Sequence, residues 1–267
     1  VSTVELKGSI AIVTGASSGI GAATAVRLAE RGATVIGVAR REDRLAETIA
    51  ACRRHSEASV AHAGDVSRRS FAGELVDEAL TRFGRVDILV NNAGVSPPED
   101  PLHRAADDVE AVMGVNFFGA IYVAAAVLPG MIASGQGSIV NVTSVAGYVP
   151  TPDEPAYGAS KAALSRWSHG LSVGLAGTGV HVGVLSPGPI DTEIWEHTGN
   201  EYKGKLFPAS RVADGIVRMI ERGTVHATVP RRFGAVGAFY PLVSRPMRWG
   251  LRRYAAAEAK RTNASSS

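Results

Sequence analysis

Short runs rich in Val and Ile alternate along this chain with longer stretches whose apolar residues recur at helical spacing. The short runs, at 10–14, 34–39, 59–64, 88–91, 137–143, 180–186 and 227–229, are apolar at successive positions rather than at every second one. That pattern fits strands covered on both faces, as in a parallel sheet. The intervening stretches, at 20–31, 41–55, 68–83, 105–133, 156–177 and 209–222, predict helices, with Gly32 and Gly84 placed as stop signals. The alternation predicts an α/β fold: one doubly wound, seven-stranded parallel sheet with helices on both faces. In such a sheet ligands bind beyond the carboxyl ends of the strands, so functional residues are expected there.

Composition narrows this picture only slightly. A 267-residue chain with 45% hydrophobic and 20% charged residues suits a soluble α/β protein and excludes a disordered or coiled-coil chain. The single cysteine, Cys52, cannot form an internal disulfide. The first residues lack the basic and apolar pattern of a signal peptide, and no apolar stretch is expected to reach the roughly 18 residues of a membrane span. A cytoplasmic location is therefore expected. The seven histidines contain no H-x-x-x-H pair, so no metal site is expected.

Charge changes the picture more, because it is unevenly distributed. Residues 231–261 hold eight Arg or Lys against Glu258 alone, a net +7, so the overall +3 leaves −4 on the remainder. The basicity thus belongs to a tail, and a nucleic-acid partner is not expected of the body. Two regions follow: an α/β domain at 1–230 and a basic C-terminal extension at 231–267.

The first predicted strand runs into Thr14-Gly15-Ala16-Ser17-Ser18-Gly19-Ile20-Gly21 and then into a helix. Glycines at this junction permit a tight turn and close approach of backbone to ligand, and the helix N-terminus presents free N–H groups to a pyrophosphate. The spacing T-G-x-x-x-G-x-G resembles that of the short-chain dehydrogenase/reductase family. Further matches follow in order: Asp65-Val66, Asn91-Asn92-Ala93-Gly94, Asn116, Ser144, Tyr157-x-x-x-Lys161 and Pro187-Gly188-Pro189-Ile190-Asp191-Thr192. The resemblance runs from about Leu6 to Val229, and it implies a single-domain Rossmann-like fold and a nicotinamide cofactor.

By that resemblance Gly15, Ser17, Ser18, Gly19, Ile20 and Gly21 cradle the cofactor phosphates, and Asp65 and Val66 hold the adenine. Asn92, Ala93 and Gly94 would line its central part, while Pro187, Ile190 and Thr192 would meet the carboxamide end. After the second strand, Ala39 stands where an acid would bind the adenosine ribose of NAD, and Arg40 and Arg41 follow. The Arg40 guanidinium, helped by Arg41, can neutralise a 2′-phosphate, which favours NADP over NAD; the competing reading is a solvated arginine pair at a helix start.

Tyr157 and Lys161 lie four apart in a predicted helix and so project from one face. The ammonium is expected to lower the pKa of the phenol. Ser144, at the end of the fifth predicted strand, can hydrogen-bond the substrate oxygen. The resemblance assigns Tyr157 as acid or base, Ser144 as orienting partner, Lys161 as tuner and ribose ligand, and Asn116 as support for a proton relay; helix packing is the other reading of Asn116. The expected reaction is hydride transfer between NADP(H) and a small-molecule carbonyl or secondary alcohol. A nucleotide-dependent epimerase or dehydratase and a non-catalytic NADP sensor are the alternatives.

Ile194, Trp195, His197, Tyr202 and Phe207 suggest an apolar lid and a lipophilic substrate, against core packing of the same aromatics. The resemblance also implies a homo-oligomer, a tetramer or dimer, paired through the helices at 105–133 and 156–177. The tail, with Phe239, Leu242 and flanking arginines, is expected to complete the pocket or the assembly first and to touch anionic membrane surfaces second.

Overall fold

The computed structural model describes residues 3–97, 105–151, 154–193 and 204–234. Nine strands are present there: β1 Ile10–Thr14, β2 Thr34–Ala39, β3 Val60–Ala63, β4 Ile88–Asn91, β5 Gly137–Val142, β6 Val180–Pro187, β7 Ile190–Asp191, β8 Phe207–Pro208 and β9 His226–Val229. The helices are α1 Gly19–Glu30, α2 Glu42–Arg53, α3 Arg69–Phe83, α4 Ala105–Met113, α5 Ala120–Ser134, α6 Pro155–Gly174 and α7 Ala209–Arg222.

Seven strands form one sheet in the order β3-β2-β1-β4-β5-β6-β9, every neighbour parallel. The expected doubly wound sheet is therefore present. Every residue of β1, β4, β5 and β6 is buried, because side chains from successive positions enter two separate cores. Val13, Val35, Val90 and Leu185 pack with Leu28, Leu45 and Ile216 of α1, α2 and α7 on one face. Ile12, Ile36, Leu89 and Ile139 pack with Leu75, Val123 and Met131 of α3 and α5 on the other. Each such fully buried side chain contributes about 1.5–3 kcal/mol, which is why the uniform apolar runs become central strands.

The strand order reverses between β1 and β4, and a cleft opens there at the carboxyl ends of the strands. The short parallel pair β7–β8, with Ile190 opposite Phe207, lies outside the main sheet and was not foreseen. Two residues are too few for a periodic signal. The predicted strand at 59–64 is shorter by a residue at each end, and the helix predicted to reach 177 stops at Gly174.

The run predicted as one helix at 105–133 is interrupted by a wider turn, Gly114–Gly119, with π-type hydrogen bonding. It brings Gly119 so close to Val66 that a Cβ on the glycine would lie 2.9 Å from Val66 Cγ2. One helical span, Ala106–Ser134, is long and apolar enough by length and composition to cross a membrane, which corrects the expectation that no stretch is. Its Val123, Ala124, Val127 and Met131 are buried in the second core. The aliphatic content that lets it pass such a test is what the core requires.

The folded body continues past residue 230. Arg231–Phe233 forms a short 3₁₀ turn, Phe233 packs against the first core, and the Arg232 guanidinium lies over the rings of Phe207 and Phe233. The remainder of the basic tail, including Phe239 and Leu242, lies outside the described residues.

Candidate active site

The glycine-rich turn joins β1 to α1, and its glycines have no room for a side chain. A Cβ on Gly21 would lie 2.0 Å from the Gly15 carbonyl oxygen and 2.5 Å from Asn92 Nδ2, and one on Gly15 would meet Ala93 Cα at 2.8 Å. Gly15 and Gly19 also have φ of +67° and +54°, which L side chains rarely adopt. The turn is pinned from β4. Asn92 Nδ2 donates to the Thr14 and Gly15 carbonyls at 3.0 and 3.3 Å, and Thr14 Oγ1 accepts from the backbone N–H groups of Asn92 and Ala93 at 3.0 and 3.1 Å. Asn92 is thus a clip between two strand ends as well as a wall of the cleft.

The cleft is a continuous cavity of about 910 Å³. The predicted cofactor residues Gly15, Ser17, Ser18, Gly19, Ile20, Arg40, Arg41, Asp65, Val66, Asn92, Ala93, Gly94, Pro187, Ile190 and Thr192 all line it. Gly21 does not; it lies just behind, where it lets α1 close on the turn. Asp65 Oδ1 accepts from both the N–H and the hydroxyl of Ser67, at 2.9 and 2.8 Å, so this carboxylate is fixed by its own loop. The two arginines differ. Arg41 Nη2 donates to Ser18 Oγ at 2.9 Å and to Ser17 Oγ at 3.3 Å, whereas Arg40 is exposed along the wall and makes no ion pair among the described residues.

Ser144, Tyr157 and Lys161 meet at the other end of the same cavity. Ser144 follows β5 in extended backbone; its Oγ accepts from the Ala146 N–H at 3.1 Å, capping a 3₁₀ turn at Val145–Gly147, and hydrogen-bonds Tyr157. A Cβ on Gly147 would lie 3.0 Å from the Ala162 nitrogen, so this turn sits directly on α6. Lys161 is 3% exposed; its Nζ donates to the Val142 carbonyl at 3.1 Å and lies 5.7 Å from the Tyr157 ring centroid.

Burial pushes the Tyr157 hydroxyl up to about 12; the Ser144 hydrogen bond acts downward, and the nearby Glu154 carboxylate adds to the rise. Burial brings Lys161 down to about 8. The net shift of the phenol is upward, with burial as its largest cause. Desolvation of the phenolate outweighs an ammonium that is itself desolvated and turned toward a backbone carbonyl. Near neutral pH the pair therefore carries both protons.

Asn116 is fully buried in the π-type turn, and both ends of its amide are engaged. Its Nδ2 donates to the Val95 carbonyl at 2.9 Å and to Ser160 Oγ at 3.0 Å, while its Oδ1 accepts from the Val95 N–H at 2.8 Å. The side chain braces the loop after β4 against α6, beside Lys161: a Cβ on Gly94 would approach both Lys161 Nζ, at 3.2 Å, and Asn116 Oδ1, at 3.3 Å. The packing reading of Asn116 accounts for its side chain, and a relay role would fall to its main chain.

Ser96 and Glu154, at the substrate end of the site, were not foreseen. Ser96 Oγ donates to Glu154 Oε1 at 2.8 Å, and both line the cavity with Ala111, Val112, Val115 and Val149. A lone acid three positions before Tyr157 was the only available signal. Of the expected lid residues, Ile194, Trp195, His197 and Tyr202 lie outside the described residues. Phe207 is 6% exposed and packs in the first core, so for it the core reading holds. Cys52 is buried, and its thiol is pushed up to about 11, in keeping with an inert core residue.

A glycine turn with no space for Cβ atoms and a Ser-Tyr-Lys cluster in one cavity fit a dinucleotide and a hydride acceptor. The model of the short chain dehydrogenase family matches residues 9–203. This chain belongs to the short-chain dehydrogenase/reductase family. It is 39% identical over 206 residues to an uncharacterised oxidoreductase of Staphylococcus saprophyticus, covering 77% of this chain and 88% of that one. Among solved structures, a short-chain dehydrogenase/reductase from Burkholderia phymatum in complex with NAD superposes with a TM-score of 0.83 at 27% identity, covering 91% and 96% of the two chains. The L-sorbose reductase of Gluconobacter frateurii, in complex with NADPH and L-sorbose, gives 0.76 at 27% identity, covering 84% and 96%. The chain is thus an oxidoreductase of this family with a nicotinamide cofactor.

Proposed function

We propose that this oxidoreductase uses NADP(H) and reduces a carbonyl on a largely apolar substrate that also presents a hydrogen-bond donor. The reading is carried by one observation: the Ser144–Tyr157–Lys161 cluster opens into the same cavity as the glycine-rich turn and the guanidinium-bearing wall at Arg40 and Arg41. The bound nicotinamide would supply the hydride. Tyr157, protonated far above neutral pH, donates its proton to the developing alkoxide, and the Ser144 hydroxyl orients the carbonyl oxygen. Lys161 holds positive charge beside the phenol until the pH rises through about 8.

The absence of an acid at Ala39, with Arg41 bonded to Ser17 and Ser18, supports NADP over NAD. The NADPH of the sorbose reductase is in line with this, and the NAD of the Burkholderia protein marks the alternative. The valines and alanines of the substrate end support an apolar substrate, while the Ser96-bound carboxylate of Glu154 asks for a hydroxyl or amine on it. The reading includes a cytoplasmic location, supported by a lone buried cysteine, and pairing of copies through α5 and α6. For this pairing, Phe118 on the π-type turn and Ile132 on α5 are each 43% exposed and Val173 on α6 is 77% exposed, an apolar surface that a second copy would cover.

The test is a turnover screen of hydroxylated steroids, hydroxyketones, sugars and 3-oxoacyl thioesters with NADPH and NADH. For the substrate found, Tyr157→Phe should lower kcat by roughly 10²–10⁴ and leave NADPH affinity nearly unchanged. Turnover by wild-type protein should decline above about pH 8 as Lys161 loses its charge. Near-normal turnover by Tyr157→Phe would overturn the mechanism.

A further inference from the structure

Glu193 follows β7, and its carboxylate reaches across the cofactor cleft to the opposite wall. Glu193 Oε2 accepts from Arg41 Nη2 at 2.7 Å, and the Ser18 hydroxyl also bonds this carboxylate. The same guanidinium nitrogen donates to Ser18 Oγ and Ser17 Oγ. Thr192 seats the segment on the glycine-rich turn, since a Cβ on Gly19 would lie 2.9 Å from Thr192 Cγ2. Ser18 stands at the N-cap of α1 yet makes no side-chain bond to its own helix. An internal anion therefore occupies the guanidinium and hydroxyl that the cleft offers to a phosphate. The Arg41 hydrogen bond, with a smaller contribution from Ser18, holds the Glu193 carboxyl below the usual carboxylate range, so it is charged at neutral pH. The partners are 46% and 31% exposed, which makes the pair replaceable rather than locked.

We infer that Glu193 is a selectivity-determining residue that competes with the 2′-phosphate of NADP(H) for Arg41. The inference rests on the proposed role of Arg41 in phosphate recognition. A guanidinium presents its donors as one fork, which a carboxylate and a phosphate both match. A phosphate monoester carries about −1.5 to −2 at neutral pH, so it outcompetes a single carboxylate but must displace Glu193 or bear its repulsion. NAD(H) has no group at this position and leaves the pair intact. Glu193 thus weakens NADP(H) binding selectively, as a repulsive element on which discrimination partly depends.

The experiment is calorimetric titration of the full chain, wild type and Glu193→Gln, with NADPH, NADH, 2′,5′-ADP and 5′-AMP at fixed ionic strength. Glu193→Gln should tighten NADPH and 2′,5′-ADP by about threefold to tenfold, the scale of one exposed ion pair plus the relief of one like-charge contact. NADH and 5′-AMP should change by less than about twofold on the same scale. Glu193→Asp, which keeps the charge, should stay near wild type. Equal changes for the phosphorylated and unphosphorylated ligands would overturn the inference, marking the pair as a strap or as a pyrophosphate contact; so would unchanged or weaker NADPH binding. Arg41→Ala separates the two layers of argument. If it collapses the NADPH-to-NADH ratio while Glu193→Gln does nothing, only the competition fails. If it leaves the ratio at its wild-type value, the phosphate role of Arg41 fails and the competition with it.

Discussion

The two ends of the cavity are built in different ways. At the cofactor end the shape is set by backbone: Gly15, Gly19 and Gly21 allow β1, α1 and the start of the loop after β4 to touch, and the side chains of Asn92 and Thr14 fasten them by hydrogen bonds to the main chain. At the substrate end the shape is set by side chains reaching from separate loops, such as Ser96 onto Glu154 and Ser144 onto Tyr157. Backbone packing tolerates almost no substitution, whereas side-chain contacts can be exchanged while the sheet stays unchanged. A common cofactor and divergent substrates are what such a division permits.

The largest expected effect comes from breaking the backbone end. Gly21→Ala places a Cβ 2.0 Å from the Gly15 carbonyl oxygen, and no rotamer can relieve a clash with backbone. Destabilisation of about 3 kcal/mol is expected, a loss of roughly 6–10 °C in Tm for a chain of this size, together with loss of NADPH binding. Gly73→Ala is the matched control: it lies in α3 with nothing within 4 Å of the added Cβ, and it should stabilise by about 0.5–1 kcal/mol. Calorimetry and cofactor titration of both variants check the contrast. Similar gains in the two would mean that helix propensity and not the contact with Gly15 governs the turn.

This division also explains what could be read from the sequence. The seven-stranded sheet was legible because burial on both faces leaves uninterrupted apolar runs, and the turn was legible because its steric demand admits only glycine at fixed spacing. Tyr157 and Lys161 were legible because one helix carries both. Glu154 was not, since its significance lies in a contact with Ser96 fifty-eight positions away. The same holds for Arg41, whose partner Glu193 is 152 positions distant, so that the sequence put Arg40 first and Arg41 in support. The π-type turn at Gly114–Gly119 left no mark in the hydrophobic pattern either, because the run from Ala120 to Met131 that follows it is apolar on nearly every face.

An intermediate effect is expected at the substrate end. Glu154→Gln keeps the size and the hydrogen bond to Ser96 but removes the charge beside Tyr157. Substrates with a hydroxyl or amine donor should lose about tenfold or more in kcat/KM, as expected for a hydrogen bond to a charged group. Matched substrates without the donor should change little. The pH profile of alcohol oxidation should move toward lower pH, because Glu154 is one of the causes that raise the Tyr157 pKa. Uniform losses across both substrate sets, with an unmoved profile, would assign Glu154 to the fold.

The smallest effect should separate the two ends by pH. Behind Ser144 a hydrogen-bonded series runs from Thr143 Oγ1 through Ser186 Oγ, Tyr148 Oη and His226 to His169, with steps of 2.8, 2.7, 3.2 and 3.3 Å. It ties β9 and α6 to the 3₁₀ turn that carries Ser144. Burial lowers both histidine pKa values below 6.5, reinforced by the neighbouring imidazole for His226 and by Arg166 for His169. The folded state therefore favours neutral rings. Between the lowered values and 6.5 the unfolded chain binds more protons, so this contribution to stability is present above pH 6.5 and is lost as the pH falls below it. Once both rings are protonated neither facing nitrogen can accept, and the series breaks at its outer step. Acidification from pH 7.5 to well below 6.5 should then raise the substrate KM by about twofold, the scale of one partly exposed hydrogen bond. NADH affinity, which depends on the backbone end and carries no titrating 2′-phosphate, should stay constant across the same range. His226→Gln removes the titrating ring at the middle of the series, so in that variant the KM rise should disappear. If NADH affinity falls in parallel with the KM rise, or if His226→Gln titrates like wild type, the two ends are not independently held.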